Sequence, residues 1–166
     1  MFSICERIKQ SKKVPLLFND LNNVLLNPVM KKSKKVKTHY DVFKIFWDNW
    51  NKTLNEREEC MVLYLHFCKK SKKTHVLGIS LEGVGDKESV EVPIHRTIER
   101  AKLVNGNAIA IAHNHTNYNS RPSAADLNFY LKVKELMIKN KLQFVENVIL
   151  TPQKKKYFSF VKARIL

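Results

Sequence analysis

The 166-residue sequence predicts an α/β domain in which a mixed β-sheet lies between helices. Three observations carry this expectation. The strand-forming and helix-forming stretches alternate in the order β-β-α-β-α-β-β. One stretch, Asn107 to Ala112 (NAIAIA), is a compact buried strand. From Asp41 onward, Val42, Phe43, Ile45, Phe46, Trp47 and Trp50 recur at helical spacing, as in a helix that docks an aromatic face on a core.

Residues 1 to 37 mix short apolar patches with prolines and lysine runs, and read as an irregular basic arm ahead of a domain over 38–166. After the aromatic helix, Glu59 to Lys69 is dense in β-formers. Thr74 to Ser80 follows beyond a polar turn, so the two read as a β-hairpin. A short third strand is expected at Ser89 to Val92. Pro93 then suits the first turn of a helix to about Asn105, with Ile94, Ile98, Ala101 and Val104 on one stripe and Gly106 as its stop. The loop after the NAIAIA strand leads into a helix from Ser123 to about Lys139, with Leu127, Tyr130, Leu131, Met137 and Ile138 as its inner face. Two strands, Gln143 to Leu150 and Lys156 to Val161, flank a turn at Pro152.

The formal net charge of +15 is concentrated at the ends: residues 1–37 carry +7, the last sixteen residues +5, and residues 38–150 the remaining +3. Lys31, Lys32, Lys34, Lys35 and Lys37 are suited to salt-sensitive, sequence-blind phosphate contacts, and equally to a solvated, solubilising tail. Cys5, Cys60 and Cys68 are odd in number and lack a C-x-x-C pair, which argues against a disulfide framework and against a cysteine-based zinc site. No apolar run reaches membrane-spanning length and no signal peptide is evident, so the expectation is a soluble, cytoplasmic protein without membrane contacts.

The stretch AHNHTNYNSRPSAAD carries the chemistry. Residues i and i+2 of a strand share a face, so His113 and His115 can present two nitrogens to one ion while Asn114 points away. Asp126, in the first turn of the following helix, can return an oxygen ligand to the strand end and leave a fourth zinc position open to water, the mark of a catalytic zinc. Each part alone has a plainer reading. Ser123-x-x-Asp126 is also a capping pattern, and an isolated His-x-His is more often a surface pair. Their combination, with seven residues between, points to metal binding. His39, His66, His75 and His95 lack ligand-spaced partners and are expected to be structural or exposed, and Gly83-x-Gly85 is expected to serve a turn. The consecutive His-Asn-His string does not have the dispersed layout of an HNH nuclease. The Pro-Cys-x-x-Cys of a zinc deaminase is missing from the sequence.

H-x-H, seven residues and S-x-x-D, with an upstream Glu, resemble the JAMM (MPN+) metalloprotease signature, and His113-Asn114-His115 resembles its RadC-like branch. The similarity extends over residues 40 to 160, including Arg57-Glu58 ahead of the MVLYL strand, Gly78-Ile79 and Tyr157-Phe158-Ser159-Phe160. The resemblance implies a deaminase-like α/β sandwich, zinc, and hydrolysis of a peptide or isopeptide bond in a protein or peptide substrate. It further implies Glu58, not Glu56 or Glu59, as general base, and Ser123 as a residue that stabilises the oxyanion or positions the water. A link to DNA repair comes with the family name alone. Thr116 replaces the usual Pro after the second His, Asn117-Tyr118 replaces Ser-Gly, and Glu146-Asn147 stands where Asp-His is common. The alternative reading is a non-catalytic, nucleic-acid-associated module with a structural or vestigial metal site, bound through the basic ends.

Overall fold

The computed structural model describes residues 35–50, 54–153 and 156–165, so the basic arm expected over 1–37 lies outside the described residues except for its last three. Of those, Lys35–Val36 form a strand (β1). Then follow α1 (His39–Asn49), β2 (Glu59–Cys68), β3 (Lys73–Val84), α2 (Ile94–Leu103), β4 (Ala108–Asn114), α3 (Ala124–Lys139), β5 (Gln143–Leu150) and β6 (Tyr157–Ser159).

The strands form one six-stranded sheet in the order β1-β3-β2-β4-β5-β6. β4 and β5 run parallel, and the other neighbours are antiparallel. The aromatic helix α1 covers one face, where Val42, Phe43, Ile45 and Phe46 pack with Leu63, Leu65, Ala110, Ala112, Val148 and Leu150. α2 and α3 cover the other, where Ile94, Ile98, Ala101, Val133 and Met137 meet Val62, Tyr64, Ile109 and Ile111. This is the mixed sheet between helices that the sequence predicts. Among the described residues no helix is long and apolar enough to cross a membrane.

Several elements depart from expectation for identifiable reasons. Residues 89–92 form no strand, and β3 instead runs on to Val84. The chain over 85–91 folds back across the end of β3, so closely that a Cβ on Gly83 would strike the Glu91 carbonyl and one on Gly85 the Ser89 carbonyl. These two glycines therefore serve close backbone approach. α2 ends at Leu103 with Val104 as its cap, and the left-handed residue beyond it is Asn105, at φ 56°, and not Gly106. The last strand is shorter than expected because the chain turns after Ser159.

The inner face of α3 also differs from the one expected. Tyr130, Val133 and Met137 are buried, whereas Leu127, Leu131 and Ile138 are 37%, 60% and 69% exposed. Positions 126, 130, 133 and 137 lie on one helical stripe, so the rotation that buries these three residues also turns Asp126 toward the sheet. Cys60 is a buried free thiol. Cys68 is disulfide-bonded; the odd cysteine count argues against a disulfide framework but leaves room for one such bridge.

Candidate metal centre

β4 delivers the two histidines. His113 lies opposite Cys60 of β2 and Ile149 of β5 near the strand's end, and His115 follows one residue beyond it. Their side chains reach the α3 side of the sheet, where the helix N-terminus brings Asp126. Asp126 Oδ1 lies 2.9 Å from His113 Nε2 and Oδ2 lies 3.3 Å from His115 Nε2. The two Nε2 atoms are 3.3 Å apart. Candidate ligand atoms of His113, His115 and Asp126 all fall within 4.8 Å of one another, the one such cluster of three or more found among the described residues. Two imidazoles and a carboxylate so placed fit a divalent transition-metal ion.

Each ligand is held from behind. The His115 Nδ1 faces the Asn119 carbonyl at 2.9 Å, a partner that fixes the ring and directs Nε2 inward. Ser123 caps α3, its hydroxyl accepting from the Asp126 N–H at 3.1 Å. In return Asp126 Oδ2 accepts from the Ser123 N–H at 2.6 Å and hydroxyl at 2.7 Å. The capping reading and the ligand reading of Ser123-x-x-Asp126 thus hold together: Oδ2 completes the capping box while Oδ1 faces His113. Burial works to raise the Asp126 pKa, but hydrogen bonds from His113, His115 and Ser123, with the charge of His113, hold this carboxyl well below the usual range. His115 shows the complementary effect. Burial lowers its pKa, and the Asp126 and Asn119 hydrogen bonds, with the Asp126 and Glu58 charges, outweigh that and raise it.

A cavity of about 150 Å³ opens beside the cluster, lined on its reactive side by Glu58, His113, Ser123 and Asp126 and elsewhere by residues including Cys60, Val90 and Phe129. Glu58 precedes β2 by one residue and, two before Cys60, shares the Cys60 face. Its pKa is raised, chiefly by burial, with Asp126 and Asp86 adding to the rise and the two histidines opposing it. Its neighbours diverge from the site. Glu56 is exposed, and Glu59 is buried with Arg57 at 2.9 Å.

Asn114 is the residue whose importance the sequence did not disclose. It is wholly buried, and its Nδ2 donates to the Leu54 and Arg57 carbonyls, each at 2.9 Å. Its Oδ1 accepts from the Glu59 N–H at 2.7 Å. The backbone on both sides of Glu58 is therefore pinned by the side chain that stands between the two metal-site histidines. The one available signal was a polar residue at an inward position of an apolar strand.

The positions that depart from the family pattern can also be placed. Thr116 donates its hydroxyl to the Lys87 carbonyl at 3.0 Å, tying the loop after His115 to the 85–91 segment; a proline there has no such donor. Glu146 and Asn147 are buried but do not line the cavity. Glu146 accepts from the Ser159 hydroxyl at 2.6 Å and the Val161 N–H at 3.2 Å, and the Asn147 amide atoms have no hydrogen-bond partner among the described residues. His39, His66, His75 and His95 take no part in the cluster.

In comparisons with known proteins, no curated protein matches the chain. The family model of the RadC-like JAB domain matches residues 36–165, from β1 through the turn after β6. That span takes in the whole sheet, its three helices and the His-His-Asp cluster, and the chain belongs to the RadC-like JAB domain family.

Proposed function

We propose that the protein is a zinc-dependent metallohydrolase that cleaves a peptide or isopeptide bond in a protein or peptide substrate. The observation that carries this reading is the convergence of His113, His115 and Asp126 beside a cavity that His113 and Asp126 line together with Glu58. Zinc, when bound, polarises a carbonyl and acidifies the attacking water.

The remaining work belongs to the chain. His113, His115 and Asp126 would hold the ion, with Asn119 and Ser123 orienting them. Glu58, half-buried and with a raised pKa, is suited to take a proton from water and return it to the leaving amine nitrogen. Asn114 fixes the backbone that carries Glu58. The Ser123 hydroxyl is engaged by Asp126; donation to a developing oxyanion requires that it exchange this bond.

Zinc analysis of the purified full-length protein is the first test. About one zinc per chain is expected, with loss in His113→Ala and Asp126→Ala. A protein that stays metal-free when zinc is supplied defeats the proposal. Glu58→Gln is expected to keep zinc and lose turnover of peptide or isopeptide substrates. Undiminished turnover in that variant assigns the base elsewhere.

A further inference from the structure

On the hydrolase reading, on which this inference rests, we propose that the cavity beside the His-His-Asp cluster holds a subsite for one aliphatic side chain of leucine size, on the substrate residue next to the scissile bond. The cavity has two kinds of wall. Glu58, His113 and Asp126 stand on the reactive side, and Val90, Val92 and Phe129 stand on the other, over a floor that includes Cys60. Val90, Val92 and Phe129 are half-buried and pack on the core cluster that α2 and α3 share with the sheet. Cys60 is wholly buried, and a free thiol so placed behaves as a small apolar group.

The apolar wall is tied to the residue that carries the candidate base. The Gly85 N–H donates to the Glu58 carbonyl at 2.9 Å, and the Glu58 N–H donates to the Asp86 carbonyl. Asp86 Oδ1 then accepts from the Glu88 and Ser89 N–H groups at 2.8 and 2.9 Å, while the Thr116 hydroxyl donates to the Lys87 carbonyl from the other side. Beyond these ties Val90 and Val92 are half-buried with Glu91 exposed between them, so alternate side chains turn inward and the charge turns out. Val90 lies against β3 because Gly83 has no side chain; a Cβ there would come within 2.8 Å of Val90 Cγ2. The subsite is therefore preformed at a fixed position relative to Glu58, and filling it costs little ordering.

Size and polarity select the side chain. An apolar cavity of about 150 Å³ takes a group as large as benzene, and this cavity has that volume. Part of it belongs to the reactive side, where a single water fills about 30 Å³. The remainder suits an aliphatic side chain better than an aromatic ring. Glu58, Glu88 and Asp126 in the lining repel an acidic side chain. A lysine would meet Glu88 at the rim, but its ammonium would lose water against Val90, Val92 and Phe129 without a buried partner among them.

The test is an NMR titration of the full-length protein as purified, with N-acetyl-leucine methylamide and its alanine, phenylalanine, lysine and aspartate counterparts. The leucine compound is expected to shift the Val90 and Val92 methyl signals and to bind about tenfold more tightly than the alanine compound. Ala125→Leu, which adds bulk to the cavity from an exposed position of α3, is expected to abolish that difference with an unchanged unfolding midpoint. Phe129→Ala is expected to move the preference to the phenylalanine compound. Equal binding of the leucine and alanine compounds, tighter binding of the lysine compound, or shifts confined to other residues each overturn the subsite. Peptide cleavage separates the two readings. In peptides that are cut, kcat/KM should follow the same order at a residue flanking the cleaved bond; cleavage indifferent to that residue removes the subsite and leaves the hydrolase. Leucine-selective shifts in a zinc-loaded protein that cuts no peptide retain the apolar site and remove the hydrolase.

Discussion

Asn114 adjoins both histidines in sequence, yet strand alternation directs its side chain to the far side of the sheet, where it holds the Glu58 segment. Truncating it to Ala strands two carbonyls and one N–H in a buried setting, and is expected to cost about 2–4 kcal/mol in urea unfolding. Zinc content should be retained, because the amide is not a ligand; loss of zinc in a folded Asn114→Ala protein contradicts this division of labour. The histidines set a pH dependence. A His115 pKa raised by Asp126 and Asn119 means that the proton favours the folded, metal-free state. That contribution is complete below the unfolded value of about 6.5 and is given up as pH rises through the higher folded value. In chelator-treated protein, the stability advantage of wild type over His115→Gln should therefore shrink as pH rises. Zinc affinity should move the opposite way, since the ion and the proton compete for the same imidazoles. Denaturant titrations at several pH values, with and without zinc, check both signs.

Among the elements, α2 is fastened to β3 by charge as well as by its apolar stripe. Glu82 is wholly buried, and its Oε1 accepts from the Arg100 guanidinium at 2.6 Å and the Tyr64 hydroxyl at 2.8 Å, with the Ser80 hydroxyl beside them. Arg100→Met leaves the Glu82 carboxylate buried without its closest cation and is expected to cost about 3–5 kcal/mol. Adding Glu82→Gln should recover much of that loss. A single variant with unaltered stability shows that Arg96, 3.5 Å from Glu82 Oε2, suffices as counter-ion. This network also accounts for the length of β3. Apolar periodicity suggested an end at Ser80, while the strand continues through Glu82, a charge that is buried because a helix far along the chain supplies its partner. α3 illustrates the same limit. Its two apolar stripes are equivalent in sequence, and the pairing of Asp126 with His113 goes with one rotation, which buries Tyr130, Val133 and Met137.

Across the described residues, the sheet places the His-His-Asp cluster at one end of its strands and a lysine-rich hairpin turn at the other. Much of this arrangement is local in origin and could be read from the residues. The β-rich stretches, the apolar faces of α1 and α2, the Ser123 cap, and a His-x-His strand end leading into Ser-x-x-Asp are all set by short-range periodicity and spacing. They determined the mixed sheet between helices and the meeting of the three residues of the His-His-Asp cluster, because side chains two residues apart at a strand end and one in the first turn of a helix beyond a short loop have few ways to be arranged. What tertiary structure alone decided rests on contacts between residues distant in sequence: Asn114 with Leu54 and Arg57, and Glu82 with Arg100. Local periodicity reports which face of an element is apolar. It does not report which buried polar group will find a partner from the other end of the chain, and that pairing governs whether such a group can be buried at all.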